Sequence, residues 1–429
     1  MKKKFFVIIS LVLVMLSASL PAFAANDMKL QVNDDLVPSP GISMINGSSM
    51  IPVDIYAAFS GADVQWESEN DFVIKENDTT MKLTVGKKEA MLADKSLMLT
   101  AEPTKAGDKV LIPLRSVSNA FGFEVGLVND QGMTTLKRSE TRDGMTVSDV
   151  LAKSTAAVQE FNTYSMDGQF NINMNIAADG KIDETAPQNI TSKLTGQMQN
   201  DPFQIYMKQT LAPVDGETVQ PMDVETYMTQ EKMYIKAPGQ DWLVQDMPFS
   251  PEFWKQQQDI QSDPLKAAEQ MKEMGILLNF GNDVTVNDQE YYVVNATLDM
   301  EKFKEGYQKI IQQATQALPQ ESNDTADLQQ QMQKLFETAK LDYNYSVLIN
   351  KETFITDIIN FDARLEMLLD NPAPAKAEGE QNDSQPQQVK IDMKYSGNIN
   401  ITEPGGSFTA PDVSTAVEMK MPQQLTPND

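Results

Sequence analysis

The sequence predicts an α+β fold, in which a small duplicated α+β unit precedes a long-stranded antiparallel sheet that is covered by helices. Two observations carry this prediction. A motif near the N-terminus recurs at an offset of 61 residues, which indicates an internal repeat. Beyond it, several segments alternate regularly between apolar and polar side chains, and a period of two is typical of half-buried strands.

The first 24 residues have the pattern of a signal peptide. Lys2 to Lys4 are basic, and the run from Phe5 to Leu16 is almost entirely apolar. Ala22-Phe23-Ala24 then matches the A-x-A pattern of small residues that precedes a signal-peptide cleavage site. The alternative is a retained membrane anchor, but the apolar run falls short of the roughly 20 residues that span a bilayer. We therefore expect export, with the mature chain starting near Ala25.

The repeat aligns Pro52 with Pro113 and Gly61 with Gly122. In each copy a short apolar strand ends at the proline, which cannot continue a ladder of backbone hydrogen bonds but fits the start of a helix. The helix is then expected to end at the glycine. The positions that the second helix should bury, at helical spacing, are Leu114, Val117 and Phe121.

The sequence Leu111-Ile112-Pro113-Leu114-Arg115, followed by a short helix and a glycine, resembles the copper amine oxidase N-terminal-like domain, also called the stalk domain. The resemblance covers residues 28–137 and implies a small domain that is common in exported proteins of Gram-positive bacteria. The first copy departs from the family pattern at Asp54, where the family usually has arginine.

The family name suggests copper, but the composition argues against it. Copper amine oxidases bind copper through three histidines, and this chain has none. The 26 methionines could hold Cu(I) through their thioethers, or they could simply fill apolar positions. We favour the second reading because the methionines form no dense cluster. We therefore expect neither a metal nor a cofactor.

The sequence beyond residue 144 predicts long strands. The clearest covers Tyr164 to Ile176, where every even-numbered residue is apolar or glycine and every odd-numbered residue is polar. The other predicted strand segments are 190–198, 203–211, 224–235, 242–244, 341–349, 359–367 and 389–401. Antiparallel strands with one apolar face need a second layer to cover that face.

Helical spacing of apolar residues predicts that second layer. The candidate helices are residues 147–161, 251–278, 301–318 and 326–339. The segments 318–325 and 371–388 are polar and contain proline, which predicts loops. The charged segment 137–144 is the expected boundary between the N-terminal unit and the sheet.

This order of helix, strands, helices and strands resembles the LolA/LppX-type lipoprotein fold over residues 145–421, particularly its relatives among Gram-positive surface lipoproteins. In that fold a curved half-barrel sheet wraps around helices, and some members hold a lipid between the two. The relatives are commonly tethered by a lipidated cysteine, which this chain lacks. The resemblance implies ligand-facing apolar positions on the strands, and the candidates are Tyr164, Met166, Phe170, Ile172, Met174, Met393 and Tyr395.

The composition excludes several classes of enzyme. Without cysteine or histidine the chain cannot form a Ser-His-Asp triad, a cysteine nucleophile or a histidine zinc site. No carboxylate pair stands out as a glycosidase site either, so no catalytic residue is assigned. The formal net charge of −26 disfavours nucleic acid as a partner, because phosphate backbones are repelled.

Two functions remain. The first is an exported, non-catalytic protein of the bacterial cell envelope that binds a lipid or another hydrophobic ligand. The alternative is a structural or interaction protein with a fully packed core, no ligand and a cell-wall component as its partner. In both cases we expect a secreted or surface-associated protein that is not integral to the membrane.

Overall fold

The structure is a computed structural model that describes residues 29–33, 35–37, 40–107, 109–128, 133–178, 181–182, 188–214, 221–247, 270, 275–298, 340–371 and 387–418. The candidate signal peptide and the predicted helices at 301–318 and 326–339 lie outside these residues. So does most of the predicted helix at 251–278.

Residues 29–137, here called the N-terminal region, form three small sheets and two short helices. The helices are α1 (Val53–Ser60) and α2 (Leu114–Ala120). The strands are β1 (Lys29–Val32), β2 (Asp35–Leu36), β3 (Ser43–Ile45), β4 (Ser48–Pro52), β5 (Asp63–Trp66), β6 (Asp71–Glu76), β7 (Thr79–Thr84), β8 (Glu89–Leu92), β9 (Lys95–Met98), β10 (Thr104–Ala106), β11 (Lys109–Pro113), β12 (Glu124–Val128) and β13 (Met133–Lys137).

The internal repeat is visible in the pairing of these strands. β4 and β11 occupy equivalent places in the two copies and pair antiparallel, with Ile51 opposite Ile112. α1 is followed by Gly61 in the left-handed conformation, at a φ of 75°, and the turn after α2 has Gly122 at a φ of 83°. Leu114, Val117 and Phe121 are buried, as predicted. The duplicated α+β unit is therefore confirmed.

The chain then enters α3 (Val147–Gln159), which begins with a capping box. The hydroxyl of Thr146 accepts a hydrogen bond from the backbone N–H of Asp149, and the Asp149 carboxylate accepts one from the backbone N–H of Thr146. These two bonds satisfy donors that a free helix end would leave without partners.

A single large sheet forms the remainder of the described chain. Its strands are β14 (Thr163–Ala178), β15 (Lys181–Ile182), β16 (Asn189–Gln199), β17 (Gln204–Pro213), β18 (Met222–Thr229), β19 (Lys232–Lys236), β20 (Leu243–Asp246), β21 (Ile276–Phe280), β22 (Val284–Val286), β23 (Gln289–Leu298), β24 (Lys340–Asn350), β25 (Thr356–Asn371), β26 (Gln387–Thr402) and β27 (Val417–Glu418). The order across the sheet is β21-β23-β24-β25-β26-β14-β16-β17-β18-β19-β20-β27, with β15 beside β14 and β22 beside β23.

Except for the parallel β20–β27 pair, neighbouring strands of this sheet run antiparallel, and the sheet curls into a half-barrel. Three glycines lie on a diagonal across the centre of the sheet. Gly196 of β16 is opposite Met166 of β14, Gly168 follows Met166 by two residues on β14, and Gly397 of β26 is opposite Phe170 of β14. Glycine within a strand allows close approach and bending. The α+β class with a half-barrel sheet agrees with the prediction.

Two predictions about elements were wrong. The segment 224–235 is two strands, β18 and β19, because the Thr229 hydroxyl accepts hydrogen bonds from the backbone N–H groups of Glu231 and Lys232 and closes a turn. Residues 276–278, assigned to a helix from their apolar spacing, belong to strand β21. Strand β23 was not predicted.

Candidate ligand-binding face

The strand register places the seven candidate residues on one face of the large sheet. Tyr164, Met166, Phe170, Ile172 and Met174 are alternate residues of β14 and therefore point to the same side. On β26, Met393 lies opposite Met174, and Tyr395 lies opposite Ile172. We call this side of the large sheet the inner face.

Across the paired strands, this register defines a surface that is almost free of charged residues. In the described residues of β14 and β16 to β26, excluding β22, the register places one charged residue on this face, Glu290, which is exposed near the start of β23. Polar side chains on this face include Ser192 and Gln209, and the Gln209 amide donates a hydrogen bond to the Ser192 hydroxyl at 2.8 Å. Because an unpaired charge is costly to bury, such a surface suits an apolar occupant.

Aromatic rings form a cluster at the centre of the inner face. The rings of Phe170 and Tyr395 stack with their centroids 4.9 Å apart. Phe361 lies 6.5 Å from Phe170 and 6.3 Å from Tyr343, and the centroids of Tyr343 and Tyr345 are 5.6 Å apart. These five residues, here called the aromatic floor, come from β14, β24, β25 and β26.

Gly397 makes room for this floor. A Cβ atom at position 397 would lie 2.5 Å from Cδ1 of Phe170 and would overlap the carbonyl oxygen of Gln169. The absence of a side chain therefore allows the Phe170 ring to cover the β26 backbone and reach Tyr395. Aromatic cover of a strand glycine is a known way to fix register and curvature.

Burial raises the pKa of the three tyrosines of the floor above the ordinary value of tyrosine, so they are neutral at neutral pH. Desolvation raises the pKa of Tyr343 and Tyr395 well above the ordinary value, and it raises the pKa of Tyr345 as well. A neutral phenol offers one hydroxyl beside a large apolar surface. The floor therefore supplies apolar contact together with weak hydrogen-bonding groups.

Helix α3 covers one end of the inner face. Its Val150 packs with Phe280, Tyr292, Val294 and Ile349 in one buried cluster. The Tyr164 hydroxyl donates a hydrogen bond to the carbonyl oxygen of Val158, near the end of this helix. Tyr164 therefore belongs to the packing beneath α3.

The remaining candidates divide between two zones. Ile172, Met174 and Met393 belong to a second buried cluster, and Tyr395 packs against it. Phe170 belongs to the aromatic floor, whereas Met166 is only half-buried and lies close to Gly196. The sequence-based candidates do not include Tyr343, Tyr345 and Phe361 of the aromatic floor, although their alternation in β24 and β25 is visible in the sequence. The sequence does not reveal that β24 pairs with β25 and that β25 pairs with β26, which brings these rings together.

Neither a metal centre nor a membrane-spanning helix appears within the described part of the chain. No group of three or more acidic side chains there could hold a metal ion. None of the helices there is long and apolar enough to cross a bilayer.

Known proteins resemble the two parts of the chain separately. Residues 31–136 match the copper amine oxidase N-terminal domain. Three solved structures resemble the rest. LprF from Mycobacterium bovis is 10% identical, with a TM-score of 0.26, and the match covers 62% of this chain and 96% of that one. LppX from Mycobacterium tuberculosis is 9% identical, with a TM-score of 0.24 and coverage of 61% and 96%, and a putative outer-membrane lipoprotein-sorting protein domain from Vibrio parahaemolyticus is 9% identical, with a TM-score of 0.19 and coverage of 58% and 91%. They are of the LolA/LppX type expected from the sequence.

No curated protein matches the chain. Residues 146–413, more than half of the chain, match a family described as a family of unknown function, DUF6612. The matched segment runs from the N-cap of α3 through the last long strand of the half-barrel, so it contains the whole inner face. The chain therefore belongs to the DUF6612 family.

Proposed function

We propose that this chain is an exported, non-catalytic protein of the bacterial cell envelope whose half-barrel binds a lipid or another hydrophobic ligand. We propose three parts: a signal peptide at 1–24, a stalk-type domain at 28–137 and a binding domain at 145–421. Export is supported by the basic, apolar and small-residue pattern of the first 24 residues.

The observation that carries the binding proposal is the almost uncharged inner face with its aromatic floor. A face of this kind provides apolar contact through rings and methionines, and methionine side chains adapt to ligands of varied shape. Five candidate residues, Met166, Phe170, Ile172, Met174 and Met393, contribute apolar contact. Tyr395 contributes a neutral hydroxyl at the edge of the floor.

The alternative is a structural or interaction protein of the cell wall whose inner face is filled as an ordinary core. The packing of Val150 against Phe280 and Ile349 favours this reading at one end of the face, because α3 there acts as core. By contrast, Tyr395 and Phe361 of the aromatic floor are only half-buried, and so is Met166 on the same face.

Binding of a fluorescent long-chain fatty-acid probe to the full chain distinguishes a ligand-binding inner face from a fully packed core. Met166→Lys places a charge on the inner face, whereas Gln169→Lys places the same charge on the opposite, exposed side of β14. We expect saturable binding that Met166→Lys weakens at least about tenfold, since burying an unpaired charge is costly. Gln169→Lys should bind normally.

Thermal unfolding of each variant shows whether it is folded, and Met166→Gln serves as a milder change if Met166→Lys does not fold. Absence of saturable binding to the wild-type chain would favour the packed-core alternative. Equal binding by the two lysine variants would place the ligand elsewhere.

A further inference from the structure

The N-terminal region packs against the outer side of the large sheet, at the corner formed by β21 and β23. Leu277 of β21 is buried within the hydrophobic core of the N-terminal region. The Asn279 amide and the Thr297 hydroxyl donate hydrogen bonds to the carbonyl oxygen of Ala58, at 3.0 and 3.4 Å. α1 thus presents its carbonyl end to the sheet, where side chains of the two strands satisfy it.

The closest approach is between the backbones of Gly61 and Phe280. A Cβ atom at position 61 would overlap the Phe280 carbonyl oxygen and lie 2.8 Å from its carbonyl carbon. Gly61 therefore meets two demands, since it ends α1 with a positive φ and also leaves space for the sheet backbone.

Two arginines of the connecting segment hold the N-terminal region in this position. Arg138 pairs with the buried Glu76 and, at 3.3 Å, with Glu140. Arg142 pairs with Glu140 at 2.5 Å and with Asp283 of the large-sheet part at 3.7 Å. The two arginine side chains are only 15% and 14% exposed, so they anchor the expected boundary segment 137–144, whose residues between and after them include exposed positions.

Further contacts continue this network on both sides of the junction. Arg142 also donates to the Asn77 side-chain oxygen at 2.6 Å and lies over the Phe280 ring, 5.0 Å from its centroid. Lys351 pairs with Asp283 at 2.7 Å. The network of alternating charge therefore runs from the interior of the N-terminal region to the end of β24.

The repeat is asymmetric at this junction. Gly61 is buried against Phe280, whereas its counterpart Gly122 is exposed, and a Cβ atom there would lie 3.9 Å from Cδ of Arg138. Ala58, which accepts the two hydrogen bonds, corresponds to the exposed Asn119. One copy of the repeat therefore docks on the sheet, whereas at the equivalent end of α2 the Phe121 carbonyl oxygen accepts a hydrogen bond from Arg138 at 2.8 Å.

We propose that the N-terminal region is a fixed cap on the half-barrel, docked through its first repeat and held by Arg138 and Arg142, so that the two parts move as one body. The cap packs on the outer side of β21, the strand at one end of the described sheet order. This proposal is independent of whether the inner face binds a ligand.

Trypsin cleavage after Arg138 and Arg142 in the full chain reports the docked state. Gly61→Ala and Gly122→Ala both place a Cβ at a positive φ after a helix, but only Gly61→Ala collides with the sheet. We expect Gly61→Ala to be cleaved at these sites about tenfold faster than the wild type, because local opening governs cleavage. Gly122→Ala should be cleaved no more than about twofold faster.

A second pair of variants decides the matter if Gly61→Ala does not fold. Asn279→Ala removes a hydrogen bond to Ala58, and Asn360→Ala removes an amide on the same side of the sheet far from the junction. Asn279→Ala should speed linker cleavage and backbone hydrogen exchange in residues 276–280, whereas Asn360→Ala should affect neither. Rapid cleavage after Arg138 and Arg142 in the wild type would overturn the proposal. So would equal cleavage rates for Gly61→Ala and Gly122→Ala or, if Gly61→Ala does not fold, for Asn279→Ala and Asn360→Ala.

Discussion

Phe170 stacks on Tyr395, and its ring occupies the space that a side chain at position 397 would need. Gly397 is opposite Phe170 on β26, so one residue without a side chain lets a phenylalanine on one strand reach a tyrosine on the next. This arrangement links the curvature of the sheet to the composition of its inner face. It also makes the aromatic floor sensitive to a side chain at position 397.

Gly397→Ala should therefore destabilise the protein. The new methyl group must displace Phe170 or the β26 backbone, and overpacking of this kind costs about 1–3 kcal/mol. Chemical denaturation of the full chain measures the change in the free energy of unfolding. Asn171→Ala, on the exposed side of the neighbouring β14 position, should change it by less than about 0.5 kcal/mol. A cost at position 397 no greater than at 171 would contradict this view of the floor.

Arg138→Met should destabilise the N-terminal region strongly. It leaves the carboxylate of Glu76, which is only 4% exposed, without its cationic partner, and breaking such a buried pair costs about 3–5 kcal/mol. Lys82→Met removes the exposed pair with Glu67 and should cost less than about 1 kcal/mol. Denaturant unfolding at pH 7 compares the two variants.

The cost of Arg138→Met should also depend on pH. Burial raises the pKa of Glu76, and the Arg138 charge partly offsets that rise. An acid with a raised pKa in the folded state loses stability as the pH rises from its unfolded to its folded value, because the folded state then binds more protons than the unfolded one. Without Arg138 the pKa rises further, so the variant should lose more stability than the wild type between pH 5 and pH 8. A difference that does not change over this range would contradict the pairing.

Thr146→Ala should weaken the start of α3. It removes the hydroxyl that caps the Asp149 N–H, a loss that typically costs about 1 kcal/mol. Ser148→Ala, on the exposed side of the same first turn, is the matched control and should have little effect. Hydrogen bonds from Thr146 also lower the pKa of Asp149. A lowered carboxyl pKa stabilises the folded state above the unfolded value, and this contribution is lost as the pH falls through the folded value.

Thermal unfolding of both variants at neutral and acid pH checks this prediction. The difference between Thr146→Ala and the wild type should shrink as Asp149 becomes protonated. An effect that is equal for Ser148→Ala, or that grows in acid, would show that the capping box does not stabilise the helix start.

Local patterns were enough to predict much of this fold. The shared spacing of Pro52, Gly61, Pro113 and Gly122 revealed the repeat, because each proline and glycine has a backbone role that other residues fill poorly. Strict alternation in β14 revealed the strand and its apolar side, since the side-chain period of a strand does not depend on its partners.

What the sequence could not predict depended on partners far along the chain. Leu277 and Phe280 are both buried, on opposite sides of β21, because the N-terminal region covers one side and α3 the other. A strand covered on both sides does not alternate, so its residues were assigned to a helix. The aromatic floor was likewise only partly anticipated, because it depends on which strands pair with β26.

The most direct test of ligand binding is native mass spectrometry of the full chain, purified without detergent from a bacterium that exports it. The account predicts a stoichiometric adduct that is lost on denaturation, is extracted by organic solvent and has the mass of a hydrophobic molecule. A mass equal to that of the polypeptide alone, together with an unfolding temperature that added long-chain lipids do not change, would contradict it.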